Sequence, residues 1–209
     1  MKSFTDYERI LVFDLETTGL DVKTASIIEI GAVDLVPDND RFFVRDEIGA
    51  VVNVKQKLPA KIVEITNITD AMVEKGIPET ELFRKLEALV TPGTLLVAYN
   101  LNFDLSFLMT LFEKYGLPER LFYDCDVLDM LTVYRDKHPY PHKLDAAVER
   151  YDVSVKNTHR ALDDAKATFE LFLKMNETYD LRDYINVIGH PSKYPYRGKK
   201  LPHIKYVPQ

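Results

Sequence analysis

The strongest constraint on the fold is a change of hydrophobic period along the chain. Ile27 to Val36 and Phe42 to Val54 are β-branched-rich runs separated by Pro37-Asp38-Asn39-Asp40, a segment with the composition of a hairpin turn. Ahead of them, the apolar run Ile10 to Phe13 reads as a buried strand, closed by two acids and the breaker Thr17-Thr18-Gly19. Beyond them the period lengthens. Leu82, Phe83, Leu86, Leu89 and Val90 fall at helical spacing within Glu79 to Val90, and after Pro92-Gly93 comes a short strand, Thr94 to Ala98. Asp104 to Tyr115 puts Leu105, Leu108, Leu111 and Phe112 on one face, with Gly116 as its stop. Val127 to Tyr134, Lys143 to Tyr151 and Arg160 to Tyr179 also read as helices. A hairpin followed by alternating elements predicts an α/β protein with a mixed sheet flanked by helices.

The length of 209 residues suits one domain with a short appendage, and composition marks where the appendage begins. Ile185 to Gln209 carries Lys193, Arg197, Lys199, Lys200 and Lys205 with no acid, together with Pro191, Pro195, Pro202 and Pro208. We expect a domain over 1–184 and a basic, Pro- and Tyr-containing C-terminal tail over 185–209, read as extended chain. The net charge of −6 therefore divides into −11 for the body and +5 for the tail. A body this acidic disfavours a basic protein that coats DNA. The single cysteine, Cys125, rules out an internal disulfide and reads as a small core residue. Met1 to Arg9 lacks the apolar stretch of a signal peptide, and nowhere do eighteen apolar residues run together. A cytoplasmic protein without membrane association is the expectation.

Acidic pairs two residues apart occur five times (Asp6/Glu8, Asp14/Glu16, Asp38/Asp40, Glu79/Glu81 and Asp124/Asp126), about the number expected by chance, so spacing alone carries nothing. Context separates Asp14 and Glu16. Residues i and i+2 of a strand share a face, and this pair ends an apolar strand with no Lys or Arg between Phe13 and Leu20. Paired carboxylates need a cation, and oxygen ligands favour Mg²⁺ or Mn²⁺ over zinc; the competing reading is a solvated strand end. Asn100-Leu101-Asn102-Phe103-Asp104 joins a strand to a helix, where Asp104 reads either as a site residue or as an N-cap. His159-Arg160-Ala161-Leu162-Asp163-Asp164-Ala165 opens the last helix. On one helix His159 and Asp164 would lie about 140° apart, so they meet only if His159 stands on the preceding loop. Asp126 reads as a cap for the helix from Val127.

Together these segments resemble the DnaQ-like branch (DEDDh) of the 3′–5′ exonucleases. Asp14-Leu15-Glu16-Thr17-Thr18-Gly19 matches its first motif, Asn100 to Asp104 its second, and His159-x-Ala161-x-x-Asp164 its third. Ile28-Glu29-Ile30-Gly31-Ala32-Val33, Ile65-Thr66-Asn67-Ile68-Thr69-Asp70 and Leu144-Asp145-Ala146 extend the likeness over roughly residues 9 to 175. The sister branch would show a tyrosine where this chain has Arg160, and Tyr99 stands where many relatives have histidine.

The resemblance implies a ribonuclease H-like fold, a mixed five-stranded sheet flanked by helices. It also implies two divalent ions, Mg²⁺ or Mn²⁺, held by Asp14, Glu16, Asp104 and Asp164, four acids whose −4 the ions would balance. Asp14 would bridge both ions, Glu16 and Asp164 would hold the nucleophile-side ion, and Asp104 would reach the second partly through water. His159 would deprotonate the attacking water, a task that suits an imidazole. Thr17, Thr66 and Asn100 are the implied substrate-binding residues. The expected substrate is a nucleic acid with a free 3′ end, DNA being favoured for proofreading or repair and RNA trimming the rival. An accessory subunit of a DNA polymerase or replisome, with hydrolysis secondary, is the other rival. In the tail, Tyr194, Tyr196 and Tyr206 alternate with Lys193, Arg197, Lys199 and Lys205, a pattern that suits either stacking and phosphate contact or packing on the acidic body.

Overall fold

Arg9–Thr17 (β1) is the strand around which the rest of the protein is arranged. The architecture was read from a computed structural model, which describes residues 2–39, 41–155, 158–192, 196 and 199–209. The hairpin is present as Ile27–Asp38 (β2) and Arg41–Asn53 (β3), with β2 antiparallel to both β1 and β3. Two short helices follow, Ala60–Thr66 (α1) and Asp70–Glu74 (α2), then the two-residue strand Ile77–Pro78 (β4) and the helix Glu79–Leu89 (α3). Thr94–Ala98 (β5) leads into Leu101–Lys114 (α4), and Asp126–Asp129 (β6) into Met130–Lys137 (α5). Leu144–Arg150 (α6) and Ala161–Asn176 (α7) complete the helices, and Val187–His190 (β7) pairs in parallel with Lys205–Pro208 (β8).

The main sheet runs β4-β3-β2-β1-β5-β6, with β5 parallel to both β1 and β6. It has six strands rather than five, because Ile77 and Pro78 add a short parallel edge beside Val52 and Asn53. The alternation of β1 divides two cores. Leu11, Phe13 and Leu15 pack with Leu82, Leu86, Leu105 and Phe112 of α3 and α4. Ile10 and Val12 pack with Leu131, Ala147, Ala165 and Leu171 of α5, α6 and α7. Cys125 is fully buried in the first of these, as its residue type suggested.

Val127 and Leu128, expected to begin a helix, instead lie in β6. An apolar run this short fits strand and helix equally, and parallel pairing with β5, which buries both completely, decides it. The cap assignment moves with the boundary. Asp129 caps α5 by accepting from Leu131 N, whereas Asp126 takes hydrogen bonds from Lys2, Tyr7 and Asn186.

The described part of the tail is paired and packed rather than simply extended. Asn186 and Val127 exchange hydrogen bonds, Ile188, Leu201 and Ile204 enter the core with α4, and Lys199 pairs with Glu113. Tyr196 donates to Asn102, so packing on the body takes precedence for this tyrosine. Lys193, Tyr194 and Arg197 lie outside the described residues. Among the described residues, no helix is long and apolar enough to cross a membrane.

Candidate active site

The carboxyl end of β1 delivers two acids to the α7 side of the sheet. Asp14 and Glu16 continue the parity of Ile10 and Val12, and across the ladder they face Gly31 and Glu29 of β2. The register slips between Glu16 and Thr17, a bulge that turns the strand end as it leaves the sheet. Gly31 explains why a helix can begin here. A β-carbon on it would lie 2.0 Å from the Ala161 carbonyl carbon, so only glycine lets the start of α7 rest on the strand. Gly49, opposite Gly31 on β3, leaves room for Leu162. Glu29 then fastens the helix: one carboxylate oxygen accepts from Ala161 N at 3.0 Å, and the guanidinium of Arg160 binds both oxygens.

That docking puts Asp164 over the strand end, 5% exposed, with Thr158 N donating to its Oδ1 at 3.0 Å. His159 stands on the loop before α7 with φ at +54°, the placement it needed to reach Asp164. Glu16, His159 and Asp164 each offer a ligand atom, all within 4.8 Å of one another.

Asp104 reaches the same region from the opposite core. It lies in the first turn of α4, 2% exposed, and its Oδ1 accepts from Leu15 N at 3.1 Å. It is therefore a clamp between α4 and β1, and the N-cap position belongs to Asn100, which is left-handed at φ 70°. Asp129 holds that turn: its Oδ1 accepts from Asn100 N and Leu101 N, each at 3.1 Å, while Thr132 donates to its Oδ2. Sequence reasoning missed Asp129, because the helical reading of Val127 to Tyr134 placed it mid-helix. Glu29 was quoted in a motif without a role; its signal was an acid inside an otherwise apolar strand.

The electrostatics show what the cluster lacks. Burial, then Asp164 and Glu29, push the Asp14 carboxyl up to about 8. Burial, then Asp14, Asp164 and Glu29, push Glu16 up to about 9, with Arg160 opposing. Burial and then Asp14 raise Asp104 well above the carboxylate range, partly offset by the Leu15 N–H. Burial raises Asp164 to about 6 against the lowering effects of the Thr158 N–H and His159. Among the described residues none of these four acids forms an ion pair, and Arg160 is engaged by Glu29. Four crowded carboxylates with one imidazole are the donor set of a hard divalent cation, so the residues fit Mg²⁺ or Mn²⁺.

The remaining anticipated residues differ in availability. Thr17 is 6% exposed and its hydroxyl donates to Gly19 O at 2.7 Å, shaping the turn after the acids. Asn100 is exposed beside Asp104. The Thr66 hydroxyl donates to Ile62 O and accepts from Ile68 N, closing the end of α1 and leaving no free donor for a ligand. Tyr99 is 9% exposed and donates to the carbonyl of His142 at 2.9 Å, so here it is a packing residue.

A mixed sheet of this order, with four acids gathered where β1, α4 and α7 meet, defines a ribonuclease H-like α/β fold. The chain belongs to the exonuclease family of RNase T type, whose family model matches residues 11–172. It is 37% identical over 171 residues to the DNA polymerase III PolC-type of Caldanaerobacter subterraneus subsp. tengcongensis, covering 80% of this chain and 11% of that protein. It is 36% identical over 190 residues to the Clostridium perfringens counterpart, covering 87% and 12%. The chain thus spans about a tenth of the length of these relatives. Among solved structures, E. coli Exonuclease I in complex with a dA16 oligonucleotide shares the fold at a TM-score of 0.74 and 19% identity, over 85% of this chain and 42% of that one. Exonuclease X in complex with 5′ overhanging duplex DNA does so at 0.60 and 22%, over 81% and 92%.

Proposed function

We propose that this protein is a DEDDh-type 3′–5′ exonuclease that hydrolyses DNA at single-stranded or frayed 3′ ends and releases nucleoside 5′-monophosphates, with two divalent ions, Mg²⁺ or Mn²⁺, as cofactor. The observation that carries this reading is the meeting of Glu16, His159 and Asp164 within 4.8 Å. Asp14 and Asp104 are close enough to raise each other's or their neighbours' proton affinity. Asp14, Glu16, Asp104 and Asp164 would hold the ions, which supply an activated water and stabilise charge on the leaving oxygen. His159, exposed on its loop, takes the proton of the attacking water. The backbone turn at Thr17 and the exposed Asn100 border the site and orient the terminal nucleotide. Glu29 and Asp129 act earlier, by fixing the helices that bear Asp164 and Asp104.

DNA is favoured over RNA because the relatives are named as DNA polymerases and two neighbours hold DNA. The same names support action beside a DNA polymerase or another replication protein, in the cytoplasm. A time course on 5′-labelled single-stranded DNA, duplex DNA, mismatched ends and RNA, with Mg²⁺ or Mn²⁺, tests direction and substrate together. Successive shortening of the labelled DNA supports the proposal. Release of the labelled nucleotide first, or shortening of RNA alone, would overturn its direction or its substrate.

A further inference from the structure

The loop between α5 and α6 combines features that the proposed chemistry does not use. Tyr140 is 81% exposed, a large aromatic ring left in solvent. Its surroundings are fixed. The ring packs T-shaped with His142, with centroids 5.8 Å apart and planes at 87°, and remains largely open to solvent. His142 is held twice, by Nε2 donating to His138 O at 2.9 Å and by its own carbonyl accepting from Tyr99 at 2.9 Å. The second bond ties the loop to the residue before Asn100, at the start of α4.

The loop lies beside the acidic site at its other end as well. Asp145, in the first turn of α6, is near enough to Asp164 to raise its proton affinity. Arg135, in the last turn of α5, acts on both Tyr99 and Asp129, and so lies on the Asn100 side. Lys143 is exposed at the start of α6. Among the described residues neither Arg135 nor Lys143 takes part in an ion pair, although the body has an acid excess. An exposed ring on a loop flanked along the chain by two cations outside any ion pair matches what single-stranded nucleic acids bind: bases stack on aromatics and phosphates meet Lys and Arg.

We propose that Pro139 to Lys143 form a stacking subsite for the single strand on the 5′ side of the nucleotide being removed, with Tyr140 as the platform and Lys143 and Arg135 meeting its phosphates. This inference rests on the nuclease reading and adds where the strand runs. An exposed aromatic platform suits a progressing substrate, because stacking tolerates any base.

The test is fluorescence anisotropy with fluorescein-labelled oligo-dT, using Ca²⁺ in place of Mg²⁺ to hold hydrolysis back, on the wild-type chain and the variants Tyr140→Ala, Tyr140→Phe and Lys143→Ala. Tyr140→Ala weakens binding about tenfold, and Tyr140→Phe restores it, since the ring and not the hydroxyl stacks. Lys143→Ala lowers the slope of log affinity against log salt by about one. Circular dichroism melts establish that each variant folds. Wild-type affinity in a folded Tyr140→Ala chain would overturn the subsite. Hydrolysis of unblocked oligo-dT with Mg²⁺ is measured in parallel: a wild-type chain that binds but never cleaves removes the nuclease reading, whereas one that cleaves with Tyr140 irrelevant removes only the subsite.

Discussion

The four acids of the site divide into two pairs held in different ways. Asp104 and Asp164 are carried by helices, are 2% and 5% exposed, and each accepts a backbone N–H, from Leu15 and Thr158 respectively. Asp14 and Glu16 are carried by the end of β1 and are more open, and among the described residues neither carboxylate accepts a hydrogen bond. The helical acids are anchored to the fold before any ligand arrives. Burial and the surrounding carboxylates raise Asp14 and Glu16 to about 8 and 9, and burial with Asp14 raises Asp104 well above the carboxylate range as well. A cation beside the open strand acids would relieve the crowding of all four, and the anchored pair would give it a rigid wall.

Removing a member of the open pair tests the comparison most severely. Asp14→Ala should lower hydrolysis by at least about a thousandfold while leaving the melting temperature within a few degrees; near-normal rates would break the metal assignment. His159→Ala should cost about 10²–10⁴-fold, read from the same time course, because a general base of this kind contributes on that scale. The groups that support the anchored pair answer to stability. Gly31→Ala forces a β-carbon into the Ala161 backbone and should destabilise the fold by about 1–3 kcal/mol in urea titrations, with activity falling as α7 shifts. Thr132→Val removes the donor to Asp129 and the acceptor for Gly189 N, one buried bond and one half-buried, for about 1–3 kcal/mol.

Metal binding supplies the most diagnostic effect. Asp14, Glu16 and Asp164 have folded values above the ordinary carboxylate range, so the metal-free folded state holds more protons than the unfolded chain. Its stability therefore falls as pH rises from about 4 towards 9. Under the proposed metal reading, Mg²⁺ or Mn²⁺ would take the place of those protons. The metal-induced rise in melting temperature should be slight at pH 5 and reach about 5–10 °C near pH 8 at a hundredfold excess over Kd. A shift independent of pH would place the metal away from the open pair.

Much of this was legible in the sequence, for reasons particular to each element. The hairpin and β5 could be read because their runs are long or bounded by strong turn residues. Helix geometry set the condition that His159 must stand on a loop to reach Asp164, and the structure meets it. β6 could not be read: Val127 and Leu128 are compatible with either structure, and only β5 alongside settles them. β4, with two residues, has no signal of its own. Asp129 and Thr66 show the same limit at single residues, since a buried acid that caps a helix and a threonine that closes one carry no mark distinguishing them from ligands.

The sequence by itself determined the chemistry available: an acid pair ending an apolar strand, a third acid after a strand-to-helix joint, and a histidine and acid at a helix entry. Those are local facts, fixed by residue type and period. The tertiary structure decided whether they meet. It did so through groups with no chemistry of their own, the bare backbone of Gly31 under Ala161, Glu29 fastening α7, and Asp129 holding the start of α4. Convergence requires close approach between distant parts of the chain, and close approach depends on what each surface leaves vacant, which no local pattern records.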